Sequence, residues 1–305
     1  MNADHRFHLV VSTIRTPDHL ARCLETIERA GVSVFVTVVE QRPTPDALAV
    51  LQPLIDAGHA EHVHQPDVRG VSRGRNAGMT RLRGEVIAFP DDDCWYPDGV
   101  LATISHRFAT QGLDAASIPS RGSDEQGTML RWRRRPGDVT SWRVPRTVVS
   151  SGIFMRRDVL ERLGDFDEDL GTGSGTPFGA GEETDMVLRA LASGARMRYM
   201  PDLSVRHPDF RDAGMTTETL AKVRRYNRGF GRVLRKHGLY VQAAYWIGRG
   251  LVGTVVRTVR GDRDGARFQH TQMSARLQGW RGRDDEGRVY PACGTVVFRP
   301  QHTEK

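Results

Sequence analysis

The sequence of 305 residues is poor in cysteine, with only Cys23, Cys94 and Cys293. Three widely spaced cysteines argue against a disulfide framework or a zinc cluster and are typical of a reducing compartment. No stretch of the about 18 residues needed for a membrane-spanning helix is free of charged side chains. The first twenty residues contain no long apolar run, so we expect no signal peptide. These absences predict a soluble, cytoplasmic protein.

Charge of one sign is concentrated near the C-terminus. The chain carries a net charge of +7, and residues 216–290 contain 16 Lys and Arg against 6 Asp and Glu, a local charge of +10. The remainder of the chain therefore carries about −3. The basic charge therefore bears on what the C-terminal quarter binds, and it gives little information about the function of the first 210 residues.

The first two-thirds of the chain alternates between strand-like and helix-like patterns. Strands are predicted at 7–14, 32–40, 61–65, 85–93 and 114–122. Helices are predicted at 19–31, 46–58 (broken or kinked by Pro53), 70–84 after an initial loop, and 100–112. A strand, a helix and a turn follow at 148–171, then a glycine-rich loop at 171–181 and a helix and strand at 182–208. The alternation predicts an α/β fold with βαβ units and a mostly parallel sheet.

The segment "FPDDDCWYPDG" (89–99) places three adjacent aspartates after an apolar run. Two carboxylates about 5 Å apart repel by roughly 3 kcal/mol at an effective dielectric constant near 20. The charges therefore face water, as in a plain acidic turn, or surround a cation. Ligands bind beyond the carboxyl ends of strands in such sheets, which is where these aspartates are predicted to lie. The second interpretation is a divalent metal site.

Two other polar features admit both a structural and a functional interpretation. Glu182, Glu183 and Asp185 begin a predicted helix, where carboxylates stabilise the N-terminus by about 0.3–1 kcal/mol each. Because a glycine-rich loop precedes them, one is alternatively a general base beside a loop that closes over substrate. His207 ends an apolar strand and is either a structural residue or a metal ligand together with the aspartates.

Five segments in order resemble the family-two glycosyltransferases with the GT-A fold, from about Phe7 to Pro208. They are "LVVSTIRTPDHLARCLETI", "GVSRGRNAGM", "VIAFPDDDCWYPDG", "GDFDEDLGTG" and "GEETDMVLRALASGARMRYMPDLSVRH". The third is similar to the D-x-D strand of the family, and the last two resemble its acceptor loop, base helix and closing strand. The resemblance implies a GT-A-like, mostly parallel sheet flanked by helices.

The resemblance also implies roles for the donor-binding residues. Asp93 would bind Mg²⁺ or Mn²⁺ on the nucleotide diphosphate, and His207 matches a histidine that can approach this metal. Asp91 would face the nucleoside or the sugar, with Asp92 between the two outer aspartates. Thr13, Arg15 and Glu40 match family positions near the base and the ribose. Arg75 and Asn76 match the glycine–arginine–asparagine segment, which faces the nucleotide.

The catalytic base is expected at Glu183. The family usually has glutamate followed by aspartate where this chain has Glu182 and Glu183, so Glu183 takes the place of the base. Asp185 keeps its place two residues later and could orient the acceptor. A carboxylate that removes the acceptor proton on the face opposite the leaving group inverts the anomeric centre.

These expectations combine into a metal-dependent, inverting glycosyltransferase. It would move a sugar from a UDP- or GDP-linked donor to a glycan or lipid-linked hydroxyl acceptor, in bacterial surface polysaccharide or glycolipid biosynthesis. Residues 1–212 would form the catalytic domain and 213–305 a basic helical extension. One alternative is a sugar nucleotidyltransferase, although "STIRTPDHL" lacks its glycine-rich phosphate loop. The other is a non-catalytic subunit that binds a nucleotide or a sugar.

The basic C-terminal segment leaves its partner open. Arg249, Arg257 and Arg260 fall within about 80° of one another on a helix, beside apolar and aromatic residues. This pattern is typical of a helix in an anionic membrane interface and equally of a helix packed on the catalytic domain. Nucleic acid is not favoured, because no binding motif is present. The basic segment "MLRWRRRPGDVTSW" (129–142) is either a solvated hairpin or a contact for a phosphate-bearing acceptor.

Overall fold

The computed structural model describes residues 6–15, 17–122, 131–208 and 216–291. The chain divides into two compact units, and each consists of two segments. The first unit contains Met1–Phe166 and Ser193–Arg211, and the second contains Asp167–Ala192 and Asp212–Lys305. The division therefore places residues 167–192 with the C-terminal residues, whereas the sequence predicted one boundary after residue 212. The catalytic assignment of residues 1–212 stays a prediction.

The first unit contains the strands and the shorter helices. Its strands are β1 (Phe7–Thr13), β2 (Val34–Glu40), β3 (Ala60–His64), β4 (Val86–Ala88), β5 (Ala115–Ser117), β6 (Ser120–Arg121), β7 (Gly137–Asp138), β8 (Ile153–Arg156), β9 (Met197–Tyr199) and β10 (Val205–Arg206). Its α-helices are α1 (Pro17–Glu28), α2 (Ala47–Asp56), α3 (Val71–Gly78), α4 (Val100–Gln111) and α5 (Arg157–Leu163). Short 3₁₀ helices occupy 144–146 and 150–152.

Eight strands form one mixed sheet in the order β3-β2-β1-β4-β8-β5-β9-β7, and β10 pairs with β6 separately. The strands β3, β2, β1 and β4 are mutually parallel, as are β5 and β9. The strand β8 runs antiparallel to both of its neighbours, and β7 runs antiparallel to β9. The predicted α/β architecture with a mostly parallel sheet flanked by helices is confirmed.

The register of β1 and β2 brings polar residues to one edge of the sheet. Phe7 pairs with Val34, and the ladder continues to Thr13, which pairs with Glu40. The residues between are almost all buried on both faces, as expected for parallel strands covered by helices. The register therefore places the polar side chains of Thr13 and Glu40 together at the carboxyl ends of the two strands.

Three predicted elements differ from the structure in extent. The strand β4 stops at Ala88, whereas the sequence predicted a strand to residue 93. Pro90 lacks the N–H that a ladder needs, and Cys94 N donates to Asp91 O (3.1 Å), which closes a turn over the aspartates. The helix α2 continues through Pro53 and is not broken there. The helix α3 begins at Val71, near the start of the predicted segment, and ends at Gly78, six residues before its predicted end.

The second unit is helical in its described residues. It contains α6 (Glu182–Ala192), α7 (Thr217–Lys236), α8 (Tyr240–Val259) and α9 (Arg263–Arg281). The predicted helical C-terminal extension is confirmed. In α7 and α9, Gly231 and Gly279 lie so close to the backbone of the facing helix that a Cβ atom would overlap it. The Arg276 guanidinium lies 5.9 Å from the ring of Phe230 and 5.7 Å from that of Trp246, and desolvation lowers its pKa to about 10.

The apolar content of these helices is limited. Among the described residues, no helix is both long enough and apolar enough to pass through a bilayer.

Candidate active site

The three aspartates lie in the turn that follows β4, beside the carboxyl end of β1. Asp92 accepts a hydrogen bond at Oδ2 from Thr13 Oγ1 (2.6 Å), and both residues are buried. Burial raises the pKa of Asp92, while the Thr13 hydrogen bond and the charge of Arg15 oppose the rise. The structure thus brings together Thr13 and Asp92, two residues that the sequence assigned to donor binding.

Arg15 supplies a positive charge to this cluster. Its Nη1 pairs with Asp93, and its Nε lies 3.7 Å from Asp92 Oδ1. The Arg15 side chain is 41% exposed, whereas those of Asp92 and Asp93 are 8% and 3% exposed. Arg15 therefore keeps part of its side chain open to solvent while it pairs with two buried carboxylates.

Arg75 forms an ion pair with Asp91, the first of the three aspartates. Its side chain is 2% exposed and its Nη2 lies 3.1 Å from Asp91 Oδ1. The helix α3 reaches this position because Gly74 packs directly on β1, where a Cβ atom would overlap Ser12 Oγ. Asp91 retains 34% of its side-chain exposure, yet burial of the charge raises its pKa; Arg75 lowers the pKa, and Asp93 raises it further.

Asn76 is engaged within the protein in this structure. Its Nδ2 donates to Phe166 O (3.0 Å), and its Oδ1 accepts from Phe166 N (2.8 Å). The ring of Phe166 in turn lies 5.6 Å from the Arg75 guanidinium and packs edge-on against Phe89. Arg75 and Asn76 therefore contact Asp91 and Phe166 within the protein. Their contact with a nucleotide stays a prediction.

Glu40 caps a helix. It is fully buried, and its carboxylate accepts from the backbone N–H groups of Asp46 and Ala47 at 3.0–3.3 Å. His62 Nε2 lies 2.9 Å from Glu40 Oε2. These contacts hold the start of α2 against the end of β2. A role of Glu40 toward the ribose stays a prediction.

His207 is delivered to the aspartates by a local backbone pairing. Trp95 and Arg206 exchange two hydrogen bonds, at 3.0 and 2.8 Å, so the residue after β10 lies beside the aspartate turn. His207 Nδ1 lies 2.7 Å from Pro208 O, a carbonyl that can only accept, so Nδ1 carries the hydrogen. In the neutral ring Nε2 then presents a lone pair, and this atom lies 3.3 Å from Asp93 Oδ1.

These donor atoms fit a divalent cation. Asp93 Oδ1 is buried without a hydrogen-bond partner. His207 Nε2 lies 3.3 Å from this oxygen, so either a proton on the ring or a cation bound by both atoms would satisfy it. Ligand atoms of Asp91, Cys94 and His207 all lie within 4.8 Å of one another. Sequence reasoning missed Cys94, although it directly follows the aspartates.

The acidic first turn of α6 belongs to the second unit. Glu182 is buried, Glu183 is half-buried, and Asp185 is fully buried. Thr184 Oγ1 lies 3.4 Å from Glu183 Oε1. The carboxylates of this turn therefore differ in accessibility, and Glu183 is more exposed than Glu182 and Asp185.

Asp185 is the centre of a buried ionic cluster. Its oxygens lie 2.8 Å from His237 Nε2, 2.9 Å from Lys236 Nζ and 3.0 Å from Arg189 Nε. Lys236 also pairs with Asp167 (2.7 Å). Burial alone would raise the pKa of Asp185, but the His237 hydrogen bond and the charges of Lys236 and Arg189 hold it well below its usual range. Lys236, His237 and Asp167 were missed because no sequence pattern links positions so far apart.

The sequence of this chain is similar to those of known glycosyltransferases. The family described as "Glycosyltransferase like family 2" matches residues 5–229. The Pre-mycofactocin glycosyltransferase of Mycobacterium tuberculosis is 27% identical over 157 residues, which are 48% of this chain and 32% of that protein. The chain thus spans about a third of the length of this curated relative. The Uncharacterized glycosyltransferase YwdF of Bacillus subtilis is 24% identical over 77% of this chain and 85% of its own.

Solved structures agree on the fold. Mannosyltransferase PcManGT from Pyrobaculum calidifontis, solved with GDP-Man and Mn²⁺, is 15% identical with a TM-score of 0.63, covering 92% of this chain and 88% of its own. S. aureus TarS 1–349, solved with UDP-GlcNAc, is 14% identical with a TM-score of 0.58, covering 89% and 92%. The family model matches most of the chain, and the chain has a GT-A-like sheet with an aspartate turn after β4. This chain belongs to glycosyltransferase family 2.

Proposed function

We propose that this protein transfers a sugar from a nucleotide-sugar donor to a hydroxyl acceptor. The observation that carries the proposal is the cluster at the end of β4. Three carboxylates, Arg15 and His207 converge there, and Asp93 Oδ1 is buried without a hydrogen bond. PcManGT and TarS, which share the fold, were solved with GDP-Man and UDP-GlcNAc. A UDP- or GDP-linked sugar is therefore the donor class that we propose.

The donor diphosphate is proposed to bind at the aspartate turn. Asp93 and His207 would hold Mg²⁺ or Mn²⁺, with Asp91 beside them. When bound, this cation neutralises the negative charge that develops on the leaving diphosphate. Asp92 accepts a hydrogen bond from Thr13, which would hold the turn against the end of β1. Arg15 is the partly exposed cation that can follow the phosphates.

Glu183 is the proposed general base. It is the more exposed glutamate of the first turn of α6, and the family resemblance assigns the base to this position. A carboxylate there would take the proton of the acceptor hydroxyl as the oxygen attacks the anomeric carbon. Attack opposite the leaving diphosphate inverts the anomeric configuration.

Asp185 acts in this proposal as a positioning residue. It was expected to orient the acceptor, but its side chain is fully buried and engaged by two cationic side chains, Arg189 and Lys236, and by the ring of His237. A carboxylate in that state has little capacity left for an acceptor hydroxyl. It is better suited to hold the start of α6 against the end of α7, and so to fix the backbone that carries Glu183.

The acceptor is proposed to be lipid-linked and presented at an anionic membrane surface. The helix α8 exposes a row of large apolar side chains: Tyr240, Val241, Tyr245, Leu251, Val252, Val255, Val256 and Val259. The exposed fractions of Val241, Val252 and Val259 are 69%, 63% and 83%. On its other side α8 packs against α9, where Gly250 meets Met273. An exposed apolar row beside Arg249, Arg257 and Arg260 suits a membrane interface. Synthesis of surface polysaccharide or glycolipid is consistent with such an acceptor.

A donor screen tests the proposed function. The protein would be incubated with UDP- and GDP-linked sugars with Mn²⁺, Mg²⁺ or EDTA, and release of the nucleoside diphosphate would be measured. We expect turnover of at least one donor with a divalent ion and none with EDTA. Release of pyrophosphate instead would favour a sugar nucleotidyltransferase. Donor binding without any turnover, with or without glycan and lipid acceptors, would favour a binding subunit.

A further inference from the structure

A buried thiol lies beside the proposed metal ligands, and the proposed function gives it no role. Cys94 has no exposed surface, and its Sγ lies within 4.8 Å of ligand atoms of both Asp91 and His207. We propose that Cys94 is a ligand of a thiophilic divalent cation, with Zn²⁺ as the type, at a site it shares with Asp91 and His207. The inference rests on the proposed function in one respect: the thiol lies at the same edge of the sheet as the proposed donor site.

The backbone explains why the thiol points to this place. The turn closed by Cys94 N and Asp91 O brings the first and fourth residues of the turn together. The pairing of Trp95 with Arg206 then holds His207 opposite the turn. Two separate chain segments therefore converge with three donor types: an oxygen, a sulfur and a nitrogen.

A second observation points to a cation independently of the thiol. Asp93 Oδ1 is buried without a hydrogen-bond partner, and the Asp93 side chain is 3% exposed. It faces His207 Nε2 at 3.3 Å, and Nδ1 of the same ring is committed to Pro208 O. An ion bound here would meet a buried, unsatisfied oxygen as well as the three clustered donors.

The donor types decide which metal is favoured. Mg²⁺ and Mn²⁺ prefer oxygen ligands, whereas a set of sulfur, nitrogen and carboxylate oxygen is typical of Zn²⁺ and its spectroscopic substitutes Cd²⁺ and Co²⁺. On binding, a bond forms between Cys94 Sγ and the metal, the S–H bond breaks, and its proton passes to the solvent. No electron is transferred. A thiophilic ion held in this way would exclude the ion that the donor diphosphate requires and would inhibit transfer.

Titration of the donor-free full chain with Cd²⁺ tests the assignment through ultraviolet thiolate-to-metal charge-transfer absorption. We expect one saturable band for the wild type, no band for Cys94→Ser and Cys94→Ala, and at least tenfold weaker binding for His207→Ala. Excess Zn²⁺ should lower the band because the two ions share Cys94, Asp91 and His207. The matched control is Cys23→Ser, which replaces another buried thiol near the aspartates; Cys293→Ser covers the cysteine outside the described residues. Both controls should keep the band.

The proposal is overturned if the band survives in both Cys94 variants, if it disappears with Cys23 or Cys293, if it never saturates, or if excess Zn²⁺ leaves it unchanged. Circular dichroism would show that each variant is folded. None of these measurements requires transferase activity. If the donor screen finds turnover, Zn²⁺ should inhibit the wild type at least tenfold more strongly than Cys94→Ser.

Discussion

Asp93 is the residue on which the metal assignment depends most directly. One carboxylate oxygen pairs with Arg15, and the other faces His207 without a hydrogen bond. We predict that Asp93→Ala abolishes the metal-dependent part of nucleoside diphosphate binding, because the cation loses its buried oxygen ligand. Calorimetry with UDP and GDP, in Mn²⁺ and in EDTA, measures this part as the difference between the two conditions.

The matched control for that experiment is Asp98→Ala. Asp98 is an exposed aspartate a few residues further along the same loop, so its loss changes the net charge equally without touching the cluster. We expect it to bind as the wild type does. Unchanged binding by Asp93→Ala in both conditions would remove the metal assignment.

Glu183 carries the prediction about the chemical step. We predict that Glu183→Gln retains donor affinity and loses transfer by about 10²–10⁴-fold, because the amide keeps the shape of the side chain and cannot accept a proton. Nucleoside diphosphate release with acceptor present measures transfer, and calorimetry measures affinity. A larger loss in Glu182→Gln, in a folded protein with normal affinity, would show that the base lies one residue earlier.

The sequence predicted the site residues unevenly, for a physical reason. The aspartates could be placed at a sheet edge because they directly follow an apolar strand. The approach of His207 to Asp93 depends on the pairing of Trp95 with Arg206, which local patterns do not encode. The residues alone left a structural role and a metal-ligand role open, and the family resemblance favoured the second. Glu40 caps α2, a contact that the sequence did not predict, and its expected place near the ribose stays a prediction. The loop that returns the chain to Glu40 has no periodic pattern from which that contact could be read.

At the scale of elements, the ionic cluster around Asp185 joins the first turn of α6 to the end of α7. Breaking a buried ion pair costs about 3–5 kcal/mol when one partner is removed. We therefore predict that Asp185→Asn lowers the free energy of unfolding by about this amount at pH 7, because Arg189 and Lys236 lose their shared counter-charge and His237 loses its carboxylate partner. Urea unfolding followed by circular dichroism measures the loss.

The pH dependence of that loss has a definite sign. The pKa of Asp185 is held below its usual range in the folded protein, against about 3.9 in the unfolded chain. Its stabilising contribution is therefore complete above about pH 5 and is lost as the pH falls through 4 and toward the lower, folded pKa. The stability difference between wild type and Asp185→Asn should be constant from pH 7 to 5 and shrink below pH 4.

Asp158→Asn is the matched control for the cluster. Asp158 also pairs with an arginine four residues later on a helix, Arg162, but both side chains are more than 60% exposed. Such surface pairs contribute about 0–1 kcal/mol, so this variant should lose little stability. If the two variants behave alike, Asp185 is not the centre of a stabilising cluster.

The extents of elements were predicted well where the pattern was periodic and poorly where side chains decide the ends. Helices α1 and α4 and strands β1 to β3 lie within a few residues of their predicted positions. The strand β4 was predicted too long because the apolar run leads into Pro90 without a polar break. The ionic cluster was not predicted at all, because Lys236 and His237 lie about fifty residues from Asp185 and meet it only in the folded unit.

At the scale of the whole molecule, charge and apolar exposure coincide in the C-terminal quarter. Residues 216–290 carry a charge of +10, and α8 within them exposes most of the large apolar side chains that are exposed in the described chain. A large exposed apolar patch on a protein surface usually marks a site that binds a protein or a membrane. Each basic residue near an anionic membrane contributes about 1 kcal/mol of attraction, and the apolar row adds burial that does not depend on salt.

The last prediction separates these two contributions. The wild type should co-sediment with vesicles that contain anionic phospholipid, more at low salt than at high salt because screening shortens the attraction. Charge reversal at Arg249, Arg257 and Arg260 should weaken binding by at least about 100-fold, since three contributions of about 1 kcal/mol are lost. Replacing Val252, Val255 and Val259 by serine should weaken binding at every salt concentration.

The control reverses three exposed arginines of the first unit, Arg29, Arg157 and Arg162, and should leave vesicle binding unchanged. Donor hydrolysis should survive in all three triple variants, because none of the changed residues is proposed to touch the donor. Binding that is equal for neutral and anionic vesicles would argue against the arginines. If the wild type ignores anionic vesicles at low salt, or if the α8 variants unfold, the apolar row serves another contact and the membrane proposal is wrong. A positive result would mean that attachment raises the local concentration of a lipid-linked acceptor, which needs no gain in affinity at the active site itself.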